Sequence, residues 1–224
     1  MRTYHQYCPI AKGAEIVGDR WNLLIFREML AGVHRFNQLQ RLLPGISRSV
    51  LTQRLTELER AGVVTRSPAA RGSEYRLTPA GEGLGTVVAA VGEWAAHWAF
   101  PEPTEQEIDP LLVMVWLSRH LNRAALPQRR VVIRFDLTGA HRLTCWLVLD
   151  PGAPSLCPMH PGFDEDIHVE TDAATMYAVY FGRLAMTEAI RAGRVRLHGL
   201  KQELRAFPGW FGTSKFAPAL TRRS

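Results

Sequence analysis

The stretch PGISRSVLTQRLTELERAG, residues 44–62, decides the fold of the first half of this chain. Pro44-Gly45 forces a tight turn, and helical spacing then runs from about Ser47 to Ala61. At 100° per residue Leu51, Leu55 and Leu58 share one stripe. The opposite face carries Ser49, Gln53, Thr56 and Arg60, with Arg48 and Thr52 on its flank. One side is therefore suited to packing, and the other is small, polar and basic. Such side chains fit a DNA major groove and hydrogen-bond base edges there, with the N-terminal part of the helix deepest. The plainer alternative for each is a solvated helix face. Arg48, Ser49, Thr52 and Gln53 are the set expected to read bases; Thr56 and Arg60 lie further along, where phosphate is the expected contact.

Working outward, a short helix over Phe36–Leu42 precedes the turn and completes a helix, a turn and a helix. Upstream, Ile10, Ala14 and Val17 recur at helical spacing until Gly18, and Asp19 stands as N-cap for a second helix, Arg20–Ala31, apolar on most sides. Downstream of Gly62, two β-prone runs, Val63–Ser67 and Glu74–Thr78, flank the turn residues 68–73 and predict a hairpin, the wing. Arg71 at its tip and Arg66 at its base are placed for a minor groove or backbone phosphates, a plain surface arginine being the alternative. Thr78-Pro79 then opens a helix on which Leu84, Val87, Val91, Trp94 and Trp98 keep helical spacing. It is too apolar to stand alone, so a two-fold partner helix is the expected cover. Gly81, Gly83, Gly85 and Gly92 weaken it by about 1 kcal/mol each if interior; close helix approach and N-terminal fraying both account for them.

Composition agrees. The 224 residues carry a net charge of +6 and a pI near 9.6, which favours polyanionic partners. Residues 35–76 hold eight arginines against three glutamates, so one region carries most of the excess. Arginine's planar fork suits phosphate and guanine better than a lysine point charge does. No run of about 18 apolar residues and no signal-peptide h-region occur. Three widely spaced cysteines argue against a disulfide framework. These features predict a cytoplasmic protein without membrane contact.

The ordered set Cys8-Pro9-Ile10, Gly18-Asp19-Arg20-Trp21, Arg35-Phe36-Asn37-Gln38-Leu39, Pro44-Gly45-Ile46-Ser47, Leu51-Thr52-Gln53-Arg54-Leu55, Ala61-Gly62-Val63 and Tyr75-Arg76-Leu77-Thr78 resembles the HxlR family of bacterial transcriptional regulators. The resemblance spans about 90 residues and implies a homodimeric winged-helix protein on operator DNA. It puts residues Arg48 to Gln53 in the reading position, and together with the residues read above the expected DNA-contacting set is Arg35, Ser47, Arg48, Ser49, Thr52, Gln53, Thr56, Arg66 and Arg71. Some members sense oxidants through the cysteine that matches Cys8. A thiol just before a helix start can have a lowered pKa, although a packed, inert cysteine is the commoner fate.

The second half begins after a proline- and acid-rich stretch, residues 100–108, which reads as a linker. A helix is expected over Asp109–Asn122, a β-hairpin over Arg130–Leu137 and Leu143–Leu149, further strands over Asp166–Glu170 and Arg194–His198, and helices over Ala173–Phe181 and Thr187–Ala192. Cys145 should face inward on its strand, and Cys157 should sit in a proline-bounded loop. Together the elements give an α+β layer. Their order resembles the sterol carrier protein type two-like fold, which implies a cavity for an apolar ligand. Candidate lining residues are Trp116, Phe135, Trp146, Leu147, Met176, Tyr180, Met186, Trp210 and Phe211, with plain core packing as the alternative for each.

Cys157, His160 and His168 lack the second ligand pair of a zinc site, and no phosphate loop, nucleophile elbow or metalloprotease motif occurs. No metal, cofactor or enzymatic activity is expected. The sequence thus predicts an α+β protein with a winged helix-turn-helix DNA-binding and dimerisation domain at 1–99 and a sterol-carrier-like domain at 109–218. It should bind double-stranded DNA as a homodimer, under the control of an apolar small-molecule effector. Two alternatives stand beside this: a small-molecule carrier whose first half serves dimerisation, and a redox-sensing regulator using Cys8.

Overall fold

The computed structural model describes residues 3–70, 72–151 and 153–221, and the chain divides into two compact units, residues 1–94 and 95–224. In the first unit α1 (Pro9–Val17), α2 (Asn22–Leu30), α3 (Phe36–Leu42) and α4 (Arg48–Arg60) precede a hairpin of β1 (Val64–Pro68) and β2 (Ser73–Leu77). Ile25 and Phe26 of α2, Leu39 of α3, and Leu51, Leu55 and Leu58 of α4 are at most 1% exposed and form the core. Between α3 and α4, Gly45 takes φ of +84°, a backbone state that side chains with a Cβ resist. Ser47 caps α4 by accepting the Val50 N–H at 3.2 Å.

Two expectations for this unit are corrected. The second helix starts at Asn22, not Arg20, and its N-cap is Trp21. Asp19 instead accepts the Trp21 N–H at 3.1 Å through one carboxylate oxygen and binds Arg54 through the other. The helix expected to run unbroken from Pro79 is two pieces, α5 (Pro79–Gly83) and α6 (Gly85–Trp98), with Leu84 between them. Thr78 fixes the first piece, accepting the Gly81 N–H at 3.2 Å and donating to the Gly62 carbonyl at 2.8 Å. A Cβ on Gly81 would lie 2.1 Å from the Val63 carbonyl oxygen, so close backbone approach explains this glycine. The wing pairs in antiparallel register from Val64↔Leu77 to Pro68↔Ser73. It is anchored by the Tyr75 N–H, which donates to the His34 carbonyl at 2.8 Å.

The second unit holds α7 (Pro110–Arg119), β3 (Val131–Thr138), β4 (Leu143–Leu149), β5 (Ser155–Cys157), β6 (Ile167–Asp172), α8 (Ala173–Tyr180), α9 (Met186–Arg191), β7 (Arg196–Gly199), α10 (Lys201–Ala206) and α11 (Ala217–Thr221). The sheet order is β5-β4-β3-β6-β7; only the β3–β6 pair is parallel. Ile133, Phe135, Cys145, Leu147, Ile167 and Val169 lie on one buried face with Met176, Phe207 and Trp210. Cys157 belongs to β5 and pairs with Trp146, a correction to the loop expected there. The sequence reading places the end of the first domain at residue 99 and a linker over 100–108. In the structure Glu105–Glu107 is a 3-10 turn, held by the Thr104 N–H donating to Glu107 at 2.8 Å, and Ile108 is buried in the second unit's core. Among the described residues, no helix is long and apolar enough to cross a membrane.

Candidate nucleic-acid interface

The outward side of α4 forms a shallow, widely open depression lined by Arg48, Ser49, Thr52 and Gln53. All four side chains are exposed, while the leucine stripe behind them is buried. Ser47 sits at the cap, with its hydroxyl 3.0 Å from that of Ser49. The Thr52 hydroxyl donates to the Arg48 carbonyl at 2.9 Å, and the half-buried Thr56 does the same to Thr52 at 3.0 Å. The Gln53 amide donates to Glu57 at 3.1 Å. Arg48 extends its guanidinium over the Phe36 ring, 5.0 Å from the centroid.

The arginines of the segment separate into two kinds. Arg54 points inward to Asp19 and Glu57, at 2.8 and 2.9 Å. Arg35 lies 3.6 Å from Glu74, and Arg76 lies 3.1 Å from the same residue. Arg66 donates to Ser73 at 3.0 Å, with its guanidinium 5.9 Å from the Tyr75 ring centroid. By contrast Arg41, Arg48 and Arg60, and likewise Arg66 apart from its contact with Ser73, are exposed and have no acid partner among the described residues. The excess charge available to a polyanion is therefore smaller than the raw count, and among the described residues of the segment it lies on α3, α4 and the first strand of the wing. Arg71 lies outside the described residues. The sequence reading missed Phe36 as a platform for Arg48 and passed over Arg41; an aromatic at the start of the helix preceding the turn is the signal that was available for the first.

Cys8 is the N-cap of α1 and is half-buried. No formal capping hydrogen bond forms, yet the backbone N–H groups of Ala11 and Ile10 hold its thiol below the ordinary cysteine value. Burial pushes the Cys145 thiol up to about 12.

In the second unit Phe135, Leu147, Met176, Tyr180, Met186 and Trp210 are buried in one hydrophobic core, with Trp116 and Phe211 packed against it and partly exposed. Trp116 stacks on Tyr180 at 5.7 Å, and Phe135 meets Phe211 edge-on at 6.3 Å. Trp146 is a correction to the set. Strand alternation turns it to the opposite side of the sheet from Leu147, where its indole N–H donates to Glu165 at 2.8 Å. That outer face also holds His168, 2.6 Å from Asp136. Burial resists the Asp136 charge, but hydrogen bonds from Thr144, His168 and Arg134 outweigh it and lower the carboxyl's pKa. No group of three or more His, Cys, Asp or Glu able to hold a metal occurs among the described residues.

The HxlR-like helix-turn-helix family model matches residues 16–103. The uncharacterised HTH-type transcriptional regulator YvaP of Bacillus subtilis strain 168 is 36% identical over 100 residues, covering 43% of this chain and 93% of that protein. The uncharacterised HTH-type transcriptional regulator Mb3122 of Mycobacterium bovis is 40% identical over 97 residues, covering 42% of this chain and 60% of that protein. Among solved structures, the reduced form of the transcriptional regulator YodB from B. subtilis is similar at 31% identity and a TM-score of 0.38, covering 44% of this chain and all of that one. The redox regulator HypR in its reduced form is similar at 33% identity and a TM-score of 0.37, covering 39% of this chain and 90% of that one.

Proposed function

This chain belongs to the HxlR-like helix-turn-helix family and is a transcriptional regulator of that type; on this premise we propose that it binds a pseudo-palindromic duplex operator as a dimer, with Arg48, Ser49, Thr52 and Gln53 in the major groove. The observation that carries the reading is the two-sidedness of α4. Its leucines are buried, its polar side lines an open depression, and Arg41 and Arg60 nearby are exposed. Phosphate contacts are assigned to Arg35, Thr56 and Arg60, and the wing contacts to Arg66 and Arg71, because a phosphate backbone supplies most of the affinity and needs cations around the reading helix. Dimerisation is assigned to α6, where Val87, Val91 and the 60% exposed Trp94 are apolar surface seeking cover. A two-fold dimer sets half-sites about 10 base pairs apart.

The second unit is read as the regulatory half, taking an apolar effector that prefers one of two states of the dimer. Trp116 and Phe211 support this, since they join the aromatic core to solvent. The sterol-carrier-like fold proposed for this unit rests on the order of β3, β4, β6, α8, α9 and β7 and belongs to the same proposal. Action on DNA places the protein in the cytoplasm. A second reading, oxidant sensing through Cys8, is favoured by the lowered thiol at the start of α1.

Electrophoretic binding to DNA upstream of the gene tests the main reading. Wild-type protein should retard one upstream duplex selectively, and the Arg48→Ala, Gln53→Ala double variant should lose that selectivity. Intact selectivity in the double variant would remove α4 from the reading role.

A further inference from the structure

Resting on the DNA-binding reading and going one step beyond it, we propose that Arg48 is the specificity-determining donor of the interface and that it reads a guanine, so each half-site contains one G·C pair fixed by this side chain. The inference starts from which hydrogen-bond donors around the depression are already spent. The Thr52 hydroxyl donates to the Arg48 carbonyl, and the Thr56 hydroxyl donates to the Thr52 carbonyl. The Gln53 amide nitrogen is engaged by Glu57, and the Ser49 hydroxyl pairs with that of Ser47. Gln53 keeps its second amide N–H, and the Ser47–Ser49 contact leaves one of the two hydroxyl protons free, so these neutral side chains offer single donors and acceptors to a partner. Arg48 alone in the lining brings a charged fork, and among the described residues none of its N–H groups has an acid or carbonyl partner.

The chemistry of the base edges then selects the target. A guanidinium has five donors and no acceptor. In the major groove guanine presents two adjacent acceptors, O6 and N7, whereas adenine pairs its N7 with a donor, thymine offers one oxygen beside a methyl group, and cytosine offers a donor. A fork that can only donate is satisfied in both teeth by guanine alone.

Position and orientation favour a base over a phosphate. Arg48 is the first residue of α4, the end that enters deepest. Its guanidinium carbon lies 5.0 Å from the centroid of the Phe36 ring, a contact that restrains the long side chain beside the start of the helix. Holding a long side chain in place before binding reduces the entropy lost on contact. Arg60, assigned to phosphate, lies at the far end of the same helix, and Arg41 lies on α3; neither lines the depression.

The test is selection of bound fragments from random-sequence duplex with purified wild-type, Arg48→Ala, Arg48→Lys and Phe36→Leu proteins, followed by titration of the selected duplex and of one with the fixed G·C pair changed to A·T. Wild type should select a symmetric site with one invariant G·C pair per half-site and bind the changed duplex roughly ten-fold or more weakly. Arg48→Ala should bind the two duplexes within about two-fold of each other and lose preference at that position alone. Arg48→Lys should keep affinity but relax the preference, and Phe36→Leu should keep the guanine with reduced discrimination. An unchanged base profile in Arg48→Ala, with uniformly weaker binding and a shallower salt dependence, makes Arg48 a phosphate contact and overturns the proposal while the DNA-binding reading stands. Absence of any selected site with wild-type protein overturns both.

Discussion

Arg54 Nη1 lies 2.8 Å from Asp19 Oδ2, and this ion pair ties the inner flank of the reading helix to the turn before α2. The same nitrogen is 2.9 Å from Glu57 Oε2, so one guanidinium joins two carboxylates while only 14% exposed. Its task is to hold α4 in position, whatever the partner outside. Arg54→Met should lose about 2 kcal/mol of stability by leaving Asp19 and Glu57 without their cation. Urea denaturation measures this; a variant as stable as wild type would show the pair to be incidental.

The two faces of α4 should separate cleanly under mutation. Leu55→Ala removes a buried side chain and should cost about 2 to 5 kcal/mol. Gln53→Ala, fully outward, should change stability by no more than about 0.5 kcal/mol while weakening binding to a selected duplex. Thermal melts and anisotropy titrations on both variants give the comparison, and a stability loss at Gln53 equal to that at Leu55 would contradict the assignment of faces.

Two glycines two positions apart, Gly81 and Gly83, offer a sharper contrast. Gly81→Ala would drive a Cβ toward the Val63 carbonyl and Leu77, both part of the packed base of the wing, and should destabilise despite the better helix propensity of alanine. Gly83→Ala meets nothing within 4 Å and should be neutral or stabilising by up to about 1 kcal/mol. Melting temperatures of the two variants should move apart; movement in the same direction by the same amount would mean that backbone approach at Gly81 does not matter.

The helix-turn-helix was legible because its signals are local. Leucine spacing in α4, Ser47 before it and Pro44-Gly45 between the helices are each sufficient within a few residues, and the observed bounds of α3 are those expected. What was illegible depends on distant partners. Asp19 carries the composition of a helix cap, but Arg54, 35 residues away, claims one of its oxygens. The break at Leu84 falls between Gly83 and Gly85, whose low helix propensity was read as weakening the helix and not as dividing it. In the second unit, strand alternation was read correctly for Leu147 but not applied to its neighbour Trp146, which strand geometry sends to the other face. The short strand β5 was missed because three residues bounded by prolines show no period, and its existence depends on β4 beside it. The pairing of arginines with Glu74, Asp19 and Glu57 was likewise invisible to a charge count.

The thiols should rank by environment. Cys8, lowered by the N–H groups of Ala11 and Ile10, should alkylate with a pH midpoint below the ordinary value of about 8.5. More of it is thiolate at neutral pH, because lowering the pKa extends the ionised form downward. Cys145, buried and pushed up to about 12, should stay unlabelled in the folded protein. Mass spectrometry of iodoacetamide-treated protein across pH checks both, and labelling of Cys145 before Cys8 would contradict the account. If Cys8→Ser also abolishes an oxidant response in DNA release, the sensing reading gains its support; an unchanged response removes it.

The central claim is that the polar side of α4 enters a duplex major groove in two symmetric copies, and protection of guanine N7 from dimethyl sulfate tests it most directly, since that atom lies on the major-groove floor. On a selected duplex the account predicts protected guanines in two clusters about 10 base pairs apart, with protection lost in the Arg48→Ala, Gln53→Ala double variant. Tight, selective binding that leaves every major-groove N7 as reactive as in free DNA would contradict it.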